Sequence, residues 1–188
     1  MQKMQTTNLK TNYRNEIKAK LKSALGKKNI FEVPKLEKIV LNTSYGKISP
    51  DEKTRERIEN SIAKITGQKP IITKAKKAIA AFKLQKGQPV GAKVTLRGNR
   101  MYDFFEKVVR IVLPRLRDFR GASTKSLDGR GNYTIAFREI TIFPEIEYAR
   151  TEKPIGLEVT IQTNAKNDEE AKLLLSELGM PFQREKAD

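Results

Sequence analysis

The 188-residue chain contains no cysteine, no histidine and no tryptophan, and only 7% of its residues are aromatic. Without cysteine there is no disulfide and no thiolate chemistry. Without histidine as well, Ser-His and Cys-His nucleophile pairs and zinc sites of the usual Cys/His kind are excluded. Long apolar runs are also missing, because every mixed run is broken by Lys or Arg before it reaches the 18 or so residues of a membrane span. Residues 1–12 are polar and lack the apolar centre of a secretory signal, which points to a reducing cytoplasm or an organelle interior.

Acid is scarce in one region only. The chain holds 38 Lys and Arg against 22 Asp and Glu, a formal charge of +16. Residues 139–188 carry 11 acids and 6 bases, a net of −5, so residues 1–138 stand at +21. From Asn60 to Tyr102 there is no acid at all, while ten cations, from Lys64 to Arg100, follow one another. Alternating charges are the mark of a solvated helix face, and alternation is absent here. Uncompensated charge is self-repelling, and a polyanion that neutralises it and releases counterions is the ordinary reason for its presence. Nucleic acid fits better than an anionic membrane, since no basic helix with a bulky apolar face accompanies the run. The acidic C-terminal part reads as a face turned away from the nucleic acid or towards a basic protein.

With 38% apolar residues the chain has enough material for a core. Ile17, Leu21 and Leu25 predict a helix over 12–25, closed by Gly26. A strand follows over Leu36–Leu41, with Ile39 and Leu41 on one face. Ser49, Pro50 and Glu52 read as a helix start, Ile58, Ile62 and Ile65 as its buried face, and Gly67 as its end. Ile71–Thr73 and Ala81–Leu84 are short strand candidates around the basic Lys74–Lys77 stretch. Val90, Ala92, Val94 and Leu96 alternate with polar residues as a third strand, so the basic run holds a hairpin. A helix capped by Asn99 runs through Phe104, Phe105 and Val112 to Pro114. Gly121–Asn132 reads as a loop long enough to suggest function or induced order. Strands at Tyr133–Phe137 and Ile155–Ile161 and a helix from Asn167 or Asp168 to Gly179 complete the chain. Without repeats, low-complexity tracts or an interdomain linker, the expectation is a single α+β domain over 1–188, with 1–12 as an arm.

Motifs of enzymes fail on inspection. Gly46-Lys47 is preceded by Leu41 and followed by Ile48, where a phosphate-binding loop needs Gly and Ser or Thr. Gly129-Arg130-Gly131 has Thr134 in place of the further glycine of a dinucleotide site. Glu145 and Glu147 form a possible carboxylate pair for magnesium or hydrolysis, and Asp128 a further acid for such an enzyme, but an exposed contact surface is the simpler account. Phe82 either stacks on a base beside phosphate-holding lysines or plugs its hairpin onto the core; spacing alone leaves both open.

Several blocks then resemble one family. They are Val33-Pro34 with Leu36-Glu37-Lys38-Ile39, Thr66-Gly67-Gln68-Lys69-Pro70, Ile72-Thr73-Lys74-Ala75, Lys93-Val94-Thr95-Leu96-Arg97-Gly98, Pro114-Arg115-Leu116-Arg117-Asp118-Phe119-Arg120-Gly121, Ser126-Leu127-Asp128-Gly129-Arg130-Gly131-Asn132-Tyr133 and Phe143-Pro144-Glu145-Ile146. In this order and spacing, from about Val33 to Phe182, the chain resembles the bacterial-type ribosomal protein five family of the large subunit.

That resemblance implies a structural protein without enzymatic activity or cofactor. It implies an antiparallel sheet with helices on one face and a protruding basic hairpin loop. It further implies binding of 5S rRNA at Asn42, Gln68, Thr95 and Arg97 in the central protuberance of a cytoplasmic or organellar ribosome. The hairpin, with Lys74, Lys77, Phe82, Lys83, Lys86 and Gln88, corresponds to a loop that approaches P-site tRNA. Arg110, Arg115 and Arg117, with Phe143, Glu145, Ile146 and Glu147, correspond to a bridge to a small-subunit head protein. 23S-type rRNA and neighbouring central-protuberance proteins are further implied partners. Two departures stand out: Thr43-Ser44-Tyr45-Gly46 has one glycine fewer than the family's turn, and Ala81 stands where the family has glycine before Phe82.

Overall fold

The computed structural model describes residues 8–45, 52–82, 84–117, 119–146 and 154–183, with the side chain of Phe82 left aside. Five strands, β1 (Leu36–Ser44), β2 (Ile71–Lys74), β3 (Pro89–Leu96), β4 (Tyr133–Phe137) and β5 (Leu157–Thr163), form one antiparallel sheet in the order β2-β3-β1-β5-β4. With its helices this is the expected α+β fold. The backbone clusters into two compact units: residues 1–38, 97–134 and 161–188, and residues 39–96 and 135–160.

In the first unit, the N-terminal helical run begins earlier than its periodicity predicts. Leu9–Asn12 are α-helical, Tyr13–Ile17 form a π turn, and Lys18–Ala24 return to α. The side chain of Asn8 accepts from the Lys10 N–H and caps the run. Leu9, Tyr13, Ile17 and Leu21 are all buried. A strict four-residue repeat outruns the 3.6-residue turn, and the wider π turn keeps the four on one side. Residues 9–12, expected to belong to an arm, are thus tied to the core through Leu9.

The second long run starts at Gly98 rather than after an Asn99 cap. It comprises Gly98–Lys107, a π turn over Val108–Val112, and Leu113–Arg115, so Pro114 lies within its last turn. Met101, Phe104, Phe105, Val108 and Val112 are buried, as their spacing predicts. The C-terminal helix, Asp168–Glu177, is capped by the Asn167 side chain on the Glu170 N–H at 2.9 Å and is followed by Gly179 at φ +98°.

The 121–132 segment, expected to be a loop long enough to suggest function or induced order, is fastened at several points. Ala122 bridges to Phe182, Thr124–Ser126 make a 3-10 turn, and Leu127 bridges to Tyr133. The Asp168 carboxylate accepts from the N–H groups of Gly129 and Gly131, at 3.0 and 2.9 Å. Asp128 accepts from the Arg130 and Asn132 N–H groups and from the Asn132 amide.

In the second unit, the Glu52–Thr66 helix buries Ile58, Ile62 and Ile65 as expected; the cap read at Ser49 and Pro50 lies outside the described residues. Gly67 closes this helix at φ +65°. Of the strand expected over Ala81–Leu84, Ala81, Phe82 and Leu84 are not in a strand, and Lys83 lies outside the described residues. Ala80–Phe82 form a 3-10 turn, and Ile79 and Leu84 make an isolated antiparallel bridge within the β2–β3 connection. Among the described residues, that single bridge is the only strand pairing of this short apolar run, too little to make a strand. At Gly91, buried on β3, a Cβ atom would collide with the carbonyl oxygen of Thr43. Glycine here lets β1 and β3 close beside Ser44, its register partner.

Candidate RNA interface

The core and outer faces of β1 and β3 follow from strict alternation. Ile39, Leu41 and Thr43 on β1, and Ala92, Val94 and Leu96 on β3, are buried. Their register pairs Val40 with Thr95, Asn42 with Lys93, and Ser44 with Gly91. Partners in an antiparallel pair share a face, so the amide of Asn42, the ammonium of Lys93 and the hydroxyl of Thr95 stand on the outer one. Asn42 and Lys93 are exposed and Thr95 is half-buried. β2 adds Ile71, opposite Lys93, and Thr73, opposite Gly91.

Gln68 reaches this strand from the end of the 52–66 helix. The Thr66 hydroxyl is 2.7 Å from the Ile62 carbonyl and 3.0 Å from that of Gln68, which fixes the turn at Gly67. The Gln68 Nε2 group then donates to the Thr95 carbonyl at 3.4 Å. Of the four expected RNA-contact residues, Gln68 and Thr95 are therefore in contact, and Asn42 lies on the neighbouring strand. Arg97 follows β3 by one residue, exposed, as the N-cap residue of the 98–107 helix. Sequence reading missed Lys93. Its signal was present, since Lys93, Thr95 and Arg97 follow one another at the strand period of two.

The departures from the family pattern have local explanations. Ser44 continues β1, and its Oγ lies 3.4 Å from the Val90 carbonyl. Tyr45 is buried, and its hydroxyl donates to Glu59 at 3.0 Å. Burial first, and then the Glu59 carboxylate, push this phenol up to about 12. Gly46 lies outside the described residues. Ala81 sits in the 3-10 turn.

Lys74, at the end of β2, and Lys77 and Lys86, in the β2–β3 connection, are exposed, and Gln88 is half-buried. The Gln88 carbonyl accepts from the Ala75 N–H at 2.8 Å, and the Gln88 Oε1 from the Gln85 N–H at 3.0 Å. Phe82 belongs to the 3-10 turn, and Lys83 lies outside the described residues.

The residues expected to form a bridge are spread over both units. In the first, Arg110, Arg115 and Arg117 are exposed, and Arg110 pairs with Glu106 at 2.8 Å. In the second, Glu145 and Ile146 are half-buried, while Glu147 lies outside the described residues. Phe143 is fully buried, edge-on to Phe137 at 5.8 Å. Its ring cannot reach a partner, so its contribution is to hold the 144–146 segment. An aromatic residue beside proline and acids looks exposed in sequence; only the fold reveals the pocket that takes it.

The acidic C-terminal part also has internal uses. Asp168 holds the 129–131 turn, and Glu170 Oε1 lies 2.6 Å from the Lys27 ammonium, with both side chains mostly buried. Burial raises the Glu170 carboxyl, but Lys27, the Lys166 N–H and the Lys166 charge outweigh it and hold the group below its ordinary range.

A strand face of amide, hydroxyl and ammonium groups has the chemistry to meet RNA, since cations grip phosphates and neutral polar groups read bases and 2′-hydroxyls. The comparisons specify the class. Residues 29–85 match the model of ribosomal protein L5, and residues 89–182 match the model of that ribosomal family's C-terminus. The large ribosomal subunit protein uL5 of Natranaerobius thermophilus is 52% identical over 170 residues, covering 90% of this chain and 95% of that protein. The chain belongs to the ribosomal protein L5 family. Members are structural, RNA-binding proteins of the large ribosomal subunit, not enzymes, and in bacteria they work in the cytoplasm.

Proposed function

We propose that this protein binds 5S rRNA and helps attach it to the large subunit in the central protuberance, alongside 23S-type rRNA and neighbouring proteins. Asn42, Gln68, Thr95 and Arg97 supply readout and phosphate contact. The observation that carries this reading is the register of β1 against β3, with Asn42 opposite Lys93 and Thr95 held by Gln68. It lies within a chain whose stretch of 43 residues from Asn60 to Tyr102 contains no acid.

The basic connection with Lys74, Lys77, Phe82, Lys83, Lys86 and Gln88 approaches P-site tRNA in this reading. The exposure of Lys74, Lys77 and Lys86 and the position of the connection between two paired strands support that role. Arg110, Arg115 and Arg117, with Phe143, Glu145, Ile146 and Glu147, form the bridge to a small-subunit head protein.

Binding titrations with 5S rRNA test the site. Asn42→Ala and Arg97→Ala are each expected to weaken binding by about tenfold, in the range found for direct base or phosphate contacts. Lys172→Ala, on the C-terminal helix, is expected to change it little. Equal losses for all three variants would contradict the site assignment.

A further inference from the structure

The first unit contains a concave pocket of about 490 Å³ built from three separate stretches of chain. That size is within the range of small-ligand sites. Lys10, Arg14 and Lys18 enter it from one side of the N-terminal helical run, joined by Lys35 and Arg97; Glu37 is the acid in its lining. The floor includes Met101, Tyr102 and Tyr13, whose hydroxyl donates to the Pro34 carbonyl at 2.8 Å. The two tyrosine rings lie 6.0 Å apart. Burial pushes the Tyr102 phenol up to about 12, although the Arg14 guanidinium opposes this, and the Tyr13 phenol is raised as well. Both are neutral at physiological pH, so the cations set the pocket's charge.

On the wall stands Phe31, 82% exposed, on the Ile30–Glu32 3-10 turn that the Asn29 side chain caps. A single exposed aromatic residue is ordinary. This one is unusual in its setting: the ring borders a cationic concavity, and the Lys18 ammonium lies 5.3 Å from its centroid. Lys10 is oriented by the Asn99 side chain at 2.6 Å. Aromatic rings beside phosphate-holding cations are how proteins receive single-stranded nucleic acid. A paired helix keeps its bases stacked inside and cannot present one to a pocket.

We propose that this pocket receives an unstacked nucleotide of an RNA loop or bulge, its base against Phe31 and its flanking phosphates on Arg14 and Lys35. The proposal rests on the RNA-binding reading above and adds a second site, for single-stranded RNA, to the β1–β3 face.

The test uses the full chain and a short oligoribonucleotide carrying one 2-aminopurine, with an abasic counterpart of equal length. Wild type is expected to change the 2-aminopurine fluorescence and to bind the abasic strand about tenfold more weakly, in line with the loss of one base–aromatic stack. Phe31→Ala is expected to abolish the fluorescence change and the preference, and Phe31→Tyr to keep both. Arg14→Ala is expected to lower the salt dependence of binding by about one phosphate contact. Because Phe31 is exposed, its variants are expected to melt like wild type, and circular dichroism checks this. Equal affinity for the intact and abasic strands, or a fluorescence change that survives Phe31→Ala, overturns the proposal. A parallel 5S rRNA titration separates the two claims: 5S preference without a Phe31-dependent signal removes the pocket alone, and loss of 5S preference removes the 5S assignment alone.

Discussion

Asn42 on β1 lies directly opposite Lys93 on β3, with the side chains of both on the exposed face of the ladder. An amide that can read a base edge or a 2′-hydroxyl is thereby set beside a cation that can hold the adjoining phosphate. The pairing follows from register, and a slip of one residue in either strand would turn that strand's side chain, Asn42 or Lys93, into the core.

Lys93→Ala is therefore expected to weaken 5S rRNA binding and to lower the slope of log affinity against log salt by about 1, as for the loss of one phosphate contact. Titrations at several salt concentrations check this. An unchanged slope would mean that Lys93 faces no phosphate.

Gly91→Ala is expected to destabilise the fold by about 1–3 kcal/mol, the usual range for overpacking. The added methyl group meets the Thr43 carbonyl, part of a paired strand that cannot move aside as a flexible side chain would. The midpoint of urea unfolding reads this out.

Asp168→Ala removes the acceptor shared by the Gly129 and Gly131 N–H groups. A loss of about 1–2 kcal/mol is expected, since hydrogen bonds to a charged group exceed neutral ones and this carboxylate is only half-buried. Amide hydrogen exchange should accelerate at Gly129 and Gly131 first.

Acid should weaken the same region. Asn132, whose amide donates to Asp128, and the backbone N–H groups of Asn132 and Arg130 hold the Asp128 carboxyl below its ordinary value of 3.8, against a raising effect of burial. Glu170 is held below its ordinary 4.5. Both groups bind protons more weakly in the folded than in the unfolded chain. Their stabilisation is thus complete above the ordinary carboxylate range and is lost as pH falls through the lowered folded values. Thermal melts from about pH 6 downwards are expected to stay level to about pH 5 and then fall. Lys27→Met is expected to shrink the part of that fall due to Glu170.

Much of this architecture is legible in the sequence because it depends on local rules. Asn167 with Gly179 brackets a helix, Ile58, Ile62 and Ile65 mark a buried helical stripe, and Ala92, Val94 and Leu96 mark a half-buried strand. The π turns at 13–17 and 108–112 are not legible, since apolar residues four apart suit an α-helix almost as well. Ala81–Leu84 reads as strand because a short apolar run looks the same in one dimension whether or not it finds a partner strand. The pocket depends on tertiary structure: Lys10 and Arg97 are separated by most of the first hundred residues, and nothing in either stretch announces the other. Lys93 was within reach of the strand period but was absorbed into the general basic run.

The most direct test of the central claim is a titration of the full chain with 5S rRNA and with a length-matched control RNA, each at several salt concentrations. The account predicts a large preference for 5S rRNA that persists as salt rises, because the readout by Asn42, Gln68 and Thr95 does not depend on counterion release. Equal affinities that collapse together with salt would contradict it, leaving the basic charge as a general attraction for RNA.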